Sequence, residues 1–257
     1  MPVRIYRPHA PRTGPAGLPC LLYLHGGGFT VGTLDGSDEV CRLFSRHAEC
    51  VVVSVDYRLA PEHPYPAAID DTRAAHGWLV ENAAALGIDS HRIAVGGESA
   101  GGSLAAALCL DLRSRGLPQP ALQILVYPGV DDSFERPSWT EFADAPLLGT
   151  ADAQWFMRQY VGDGVAPSPL LTPLQAPTLA ALAPAHIITA EVDCMRDDAE
   201  AYARRLEAEG VPMLHHRYPG VFHGFFTETG TFAKATEAVA DACASLRTVF
   251  TDGALPS

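Results

Sequence analysis

The chain reads as an α/β protein, with a mostly parallel, doubly wound sheet carrying helices on both faces. Three observations point there. Short apolar runs recur without polar alternation, stretches of helical spacing fall between them, and 257 residues suffice for one such domain with a generous core. Strands covered on both faces lose the in-out alternation of a half-exposed sheet. A repeated β-then-α order implies right-handed crossovers within one sheet.

Cys20-Leu21-Leu22-Tyr23-Leu24 forms the first near-continuous apolar run, followed by a helical pattern over 40–47. A second run at 50–55 precedes a helix over 67–85. A strand at 92–95 leads into a helix over 100–115, where Leu104, Ala107, Leu108 and Leu112 share a face. Strands at 122–127, 186–189 and 213–218 follow, with a helix over 196–209 between the last two and another over 232–250. Residues 253–257 read as a loose tail. The stretch 132–184 breaks the alternation: it is rich in proline, with one short helix near 151–160 and no strand. Its Trp139, Phe142, Trp155, Phe156 and Tyr160 argue against disorder. It is therefore expected to be a small lid over the carboxyl ends of the strands, inserted in a single domain spanning 1–257.

Composition narrows the function. Lys and Arg total 18 against 30 Asp and Glu, a formal net charge of -12, and Lys234 is the only lysine. With no basic run, such a chain is expected to repel nucleic-acid phosphates and anionic membranes. No apolar stretch approaches a bilayer span, and the start has no basic, apolar leader pattern, so the cytoplasm is the expected location. The six cysteines form no Cys-x-x-Cys pair, which argues for free thiols over metal ligation or a disulfide framework. His215 and His216 are neighbours on an expected strand, where side chains alternate between faces, so they do not share one ion. No metal and no cofactor are expected.

Chemistry concentrates at four places. Gly97-Glu98-Ser99-Ala100-Gly101 lies between an expected strand and an expected helix. A serine on so sharp a turn has its side chain forced outward, and the flanking glycines let neighbouring elements pass. His25-Gly26-Gly27-Gly28-Phe29 follows the first strong strand and could bring bare N–H groups against a developing oxyanion; taken alone, it is as readily a flexible turn. The natural donors are the N–H groups of Gly27, Gly28 and Ala100. Asp193 and His223 each follow an expected strand at its carboxyl end, where open α/β sheets place their sites. The order Ser99, Asp193, His223 is that of a nucleophile, an orienting acid and a base. Among the other histidines, His25 belongs to the glycine loop and His63 to a proline-rich turn.

With these residues assembled, the chain resembles the hormone-sensitive-lipase-like branch of bacterial carboxylesterases, in the α/β-hydrolase superfamily. The resemblance runs from Val3 to Phe250 and includes the glycine loop, the stretch 56–68, Gly97 to Gly102, Asp193-Cys194-Met195-Arg196-Asp197, and Pro219 to Phe225. It implies the α/β-hydrolase fold. It also implies Ser99 as nucleophile, His223 as general base and acid, Asp193 as orienting carboxylate, and Gly27, Gly28 and Ala100 as oxyanion donors. The expected reaction is two-step hydrolysis of short- to medium-chain, small-molecule esters without a cofactor. An acyltransferase or amidase would use the same triad. A ligand-binding receptor on this scaffold would lack the histidine that stands here at 223.

Three departures from the family carry expectations of their own. Glu98 stands where Asp or Thr is common, a variation that still supports the turn. Cys194 stands where proline is common, beside Asp193, which predicts modest sensitivity to thiol reagents. Family members usually carry a helical cap segment before the strand corresponding to Val3-Arg4-Ile5-Tyr6, with which this sequence starts, so either the cap is absent or the start has been cut or misassigned. Absence of the cap would leave apolar residues within 139–160 exposed, widen the acyl pocket and favour a partner subunit, as in a homodimer. Arg58, Glu62, Asp70 and Asp71 are read as a structural salt-bridge network, and Asp197 as a loop-stabilising residue.

Overall fold

A computed structural model describes residues 1–9, 17–162 and 165–255. Seven strands form one sheet: β1 (Val3–Tyr6), β2 (Leu18–Leu24), β3 (Val51–Val55), β4 (Ile88–Glu98), β5 (Gln123–Val126), β6 (Ala185–Val192) and β7 (Met213–Phe222). Their spatial order is β1-β3-β2-β4-β5-β6-β7, with β1 antiparallel to β3 and every other pairing parallel. The helices are α1 (Asp38–His47), α2 (Ala67–Glu81), α3 (Ala83–Leu86), α4 (Ala100–Ser114), α5 (Pro137–Glu141), α6 (Thr150–Val161), α7 (Arg196–Ala208) and α8 (Ala233–Asp252). The expected α/β class is the one observed.

Apolar runs without alternation have the cause expected of them. All of β2 is buried: Leu18, Cys20, Leu22 and Leu24 pack into one core, Leu21 and Tyr23 into the other. The first core lies under α2, α4 and α7, the second under α1 and α8. Helix α1 adds favourable end charges, with Asp38 and Glu39 in its first turn and Arg46 and His47 in its last. Helix α4 is buried from Ala100 through Leu112, and its run of alanines lets it sit close on the sheet.

Several boundaries differ from expectation. The helix expected over 67–85 breaks at Asn82, whose φ of -104° and ψ of 11° leave the helical region. Strands β4, β6 and β7 run longer than the apolar stretches that announce them, because backbone pairing takes in flanking residues whatever their side chains. Residues 256–257 of the expected tail lie outside the described residues. Within 132–184 the short helix appears as α6, together with α5 and a 3₁₀ turn at Pro173–Gln175.

Chain order decides where a site can form. From β2 the chain crosses to β3 on one side and then returns to β4 on the other. Between β2 and β4 the winding reverses, opening a crevice at their carboxyl ends. The glycine loop leaves β2 there, and Ser99 leaves β4 there.

Candidate active site

Ser99 joins β4 to α4 with φ 55° and ψ -121°, a region that costs a non-glycine residue on the order of 1–3 kcal/mol. Surrounding bonds hold it there. Its N–H donates to the Val126 carbonyl at 2.9 Å, and its carbonyl accepts the Ser103 N–H at 3.0 Å and the Ser103 hydroxyl at 3.1 Å. The flanking glycines are steric necessities. A Cβ on Gly97 or on Gly101 would overlap the Leu24 carbonyl oxygen, because the turn crosses directly over the end of β2.

His223 follows β7, and its Nε2 lies 2.8 Å from Ser99 Oγ. Its Nδ1 lies 2.8 Å from Oδ2 of Asp193, which follows β6. Asp193 is fully buried, and its Oδ1 accepts the Met195 N–H at 2.9 Å, which sets the carboxylate's orientation. Next to His223, Gly224 has φ 88°, and a Cβ there would strike Leu147. Folding thus brings Ser99, Asp193 and His223 into one hydrogen-bonded chain across three strand ends. Such a chain can draw a proton from the hydroxyl onto an imidazole whose tautomer is set by the carboxylate.

The glycine loop lies against this chain. Gly27 (φ 113°) and Gly28 (φ 58°) adopt conformations that favour glycine, and their N–H groups meet no acceptor among the described residues. Ala100 is the first residue of α4, so its N–H lacks an intrahelical acceptor. Gly27, Gly28, Ala100, Ser99 and His223 form the polar end of one cavity of about 290 Å³. Val31, Phe134, Trp139, Leu148, Phe156 and Met195 are among its apolar walls, and the size lies at the small end of small-molecule sites.

Most of those walls come from 132–184. Phe156 packs directly on Gly28, and Tyr160 stacks on Phe29 at 3.8 Å. Trp139 is buried against Phe134 and donates its indole N–H to Asp198 at 2.8 Å. Burial pushes the Asp198 carboxyl up to about 6, and Arg136 Nε, 3.2 Å from it, only partly offsets this. Of the apolar residues expected to lie exposed between 139 and 160, Leu147 (74%) and Trp155 (47%) do so. Trp139 and Tyr160 are buried.

Other expectations meet the structure as follows. Cys194 is fully buried beneath the Leu148 carbonyl, and burial pushes its thiol up to about 12, so the expected reagent sensitivity loses its basis. All six cysteines are free and buried. His215 turns to Thr189 and Glu200, whereas His216 turns to Asp241, on opposite faces as strand geometry requires. No metal-holding cluster occurs among the described residues. Arg58 grips Asp71 through three nitrogens, while Asp70 pairs with Arg73. Asp197 caps the Ser138 N–H and pairs with Arg196. The sequence shows no basic run, yet folding gathers Arg4, Arg7, Arg42 and Arg46 around a shallow groove, where Asp38 pairs with Arg4 and Arg42.

Sequence reasoning missed what Glu98 does. It is buried, its Oε1 accepts the Gly26 N–H at 2.7 Å and the Ser37 hydroxyl at 3.2 Å, and its Oε2 accepts the Tyr23 hydroxyl. Burial raises its carboxyl above the ordinary range. The one available signal was a charged residue at the end of an otherwise apolar strand.

Fold and site together define a serine-type hydrolase. Residues 21–227 match the alpha/beta hydrolase fold family, and the chain belongs to it. It is 44% identical over 233 residues to esterase LipI of Mycobacterium tuberculosis, covering 90% of this chain and 73% of the relative. Carboxylesterase NlhH of the same species is 43% identical over 251 residues, covering 96% and 78%. An ester hydrolase from the metagenome of Lake Arreo, solved with a bipyridine phosphonate derivative, superposes with a TM-score of 0.93 at 41% identity, covering 97% of this chain and 79% of that one. The protein is a carboxylic ester hydrolase acting on small-molecule esters, and among the described residues no helix is long and apolar enough to cross a membrane.

Proposed function

We propose that Ser99 is the nucleophile, His223 the general base and acid, and Asp193 the residue that orients it, with Gly27, Gly28 and Ala100 donating to the oxyanion. The observation that carries this is the continuous pair of 2.8 Å contacts from Asp193 through His223 to Ser99 at the polar end of the cavity. Ser99 Oγ attacks the ester carbonyl as His223 Nε2 takes its proton. Charge develops on the carbonyl oxygen, where each donor supplies on the order of 3 kcal/mol. His223 then protonates the departing alcohol, and water activated at the same nitrogen releases the acid. These residues, the ester and water supply every proton and electron pair, so the reaction calls for no cofactor.

The quoted motifs support placing the chain in the hormone-sensitive-lipase-like branch. Residues 132–184, whose side chains wall the cavity, act as a lid within a single domain. The modest cavity favours short- to medium-chain acyl groups. Six free, buried thiols fit a reducing, cytoplasmic compartment. Exposed Leu147, which lines the cavity, and exposed Trp155, packed beside Phe156, support association as a homodimer. The test is a p-nitrophenyl ester series, from acetyl to longer chains, on wild type and Ser99→Ala. Turnover that falls with acyl length and vanishes in the variant is expected. Equal turnover by the variant would overturn the assignment.

A further inference from the structure

We propose that Glu98 is a positioning residue for the oxyanion site: its carboxylate sets where the N–H groups of Gly27 and Gly28 lie relative to Ser99. This rests on the donor assignment above. Glu98 immediately precedes Ser99, so one rigid turn fixes the nucleophile by its backbone and the glycine loop by its side chain. Three donors from three segments converge on the two carboxylate oxygens: the Gly26 N–H, the Ser37 hydroxyl before α1, and the Tyr23 hydroxyl on β2. All are buried or nearly so.

The setting argues for a role beyond stability. Tyr23, Tyr57, Tyr127 and Cys41 are the titratable groups facing Glu98, and burial holds each of them neutral in the working range. No cation among them offsets the charge. A buried carboxylate without a countercharge is costly, and an apolar side chain of like size would serve packing better. What the carboxylate supplies is an acceptor for Gly26. A Cβ on Gly26 would lie 3.1 Å from the Glu98 carbonyl and 3.3 Å from Ser99 Cβ, so the loop rests on the turn itself. Its other anchors are the Tyr57 hydroxyl on the His25 carbonyl at 2.7 Å, the Ala60 N–H on the Phe29 carbonyl at 2.8 Å, the Thr30 and Val31 N–H groups on the Gly27 carbonyl at 3.0 Å each, and the packing of Phe156 on Gly28 and of Tyr160 on Phe29; none of these holds the Gly27 or Gly28 N–H itself. Between these lie two glycines, the residues with most conformational freedom. A donor displaced by about 1 Å costs on the order of 100-fold in rate.

The test uses Glu98→Leu and Glu98→Gln in the full chain, with active sites counted by a phosphonate that labels Ser99. Glu98→Leu removes the acceptor. Glu98→Gln keeps an oxygen for Gly26 and turns its NH₂ toward Tyr23. Per-site kcat is expected to fall on the order of 100-fold in Glu98→Leu with KM within about threefold. Affinity for a trifluoromethyl ketone analogue should fall by the same factor as kcat/KM, and Glu98→Gln should recover most of both. Per-site kcat and ketone affinity within about threefold of wild type in Glu98→Leu would overturn the proposal. So would a loss confined to the number of titratable sites, or a Gln variant as impaired as Leu. Should Glu98→Leu not fold, Glu98→Asp withdraws the acceptor by one methylene and is expected to show the same split at smaller size; unchanged ketone affinity there also overturns it. Failure of Ser99 to label, or turnover by Ser99→Ala, would instead strike the donor and nucleophile assignments.

Discussion

Replacing Asp193 by asparagine changes one oxygen for an NH₂ and leaves the shape of the side chain intact. Asp193 Oδ1 accepts the Met195 N–H at 2.9 Å, and Oδ2 faces His223 Nδ1 at 2.8 Å. An amide nitrogen cannot accept the Met195 N–H, so the asparagine oxygen stays on that side and the NH₂ turns to the imidazole. Nδ1 must then accept, the ring proton moves to Nε2, and Nε2 donates toward Ser99 Oγ instead of taking its proton. The base is present in the wrong tautomer. The equivalent change in a serine-protease triad lowers kcat by about 10⁴, which at 1.36 kcal/mol per tenfold is about 5.5 kcal/mol on the barrier. The same order is expected here, because the Met195 N–H leaves the amide one orientation. The assay is kcat for p-nitrophenyl butyrate at neutral pH, with the melting temperature as a check on folding. A loss of less than about tenfold at unchanged melting temperature would refute the reasoning.

Two glycines should respond in opposite senses to alanine. Gly101→Ala would drive a Cβ into the Leu24 carbonyl oxygen and is expected to cost about 3 kcal/mol or more in urea unfolding, whereas Gly77→Ala, with open space at its Cβ inside α2, should stabilise by about 0.5–1 kcal/mol. His186 is buried beside Ser245, and burial lowers its pKa from 6.5 to about 4. The unfolded chain therefore binds that proton first, so stability present above 6.5 is lost as pH falls toward about 4; wild type should lose about 3 kcal/mol more over that window than His186→Gln, measured by denaturant midpoints. Cys194, buried with its thiol pushed up to about 12, should react with a thiol-specific disulfide reagent only on unfolding, and inhibition of the native enzyme through this residue would contradict that.

The fold was legible because its signals are local. Apolar runs such as Leu21 to Leu24, and the spacing of Leu104, Leu108 and Leu112, depend on neighbours within a few residues. Break points were less so. Asn82 interrupts 67–85 through backbone angles that composition does not announce. That Ser99, Asp193 and His223 would meet at the carboxyl ends of strands was readable, because chain order and strand ends constrain them. Phe156 and Leu148 as cavity walls were not, because nothing along the chain relates α6 to the glycine loop.

The sequence by itself determined the class of fold, the strained turn at Ser99 and the order in which Asp193 and His223 follow it. Each of these is set by what adjacent residues allow the backbone to do. Tertiary structure alone decided how far His223 stands from Ser99, the volume of the cavity, and that Glu98 reaches Gly26. Those depend on packing between segments far apart in the chain, where a distance is settled only once every intervening element has found its place.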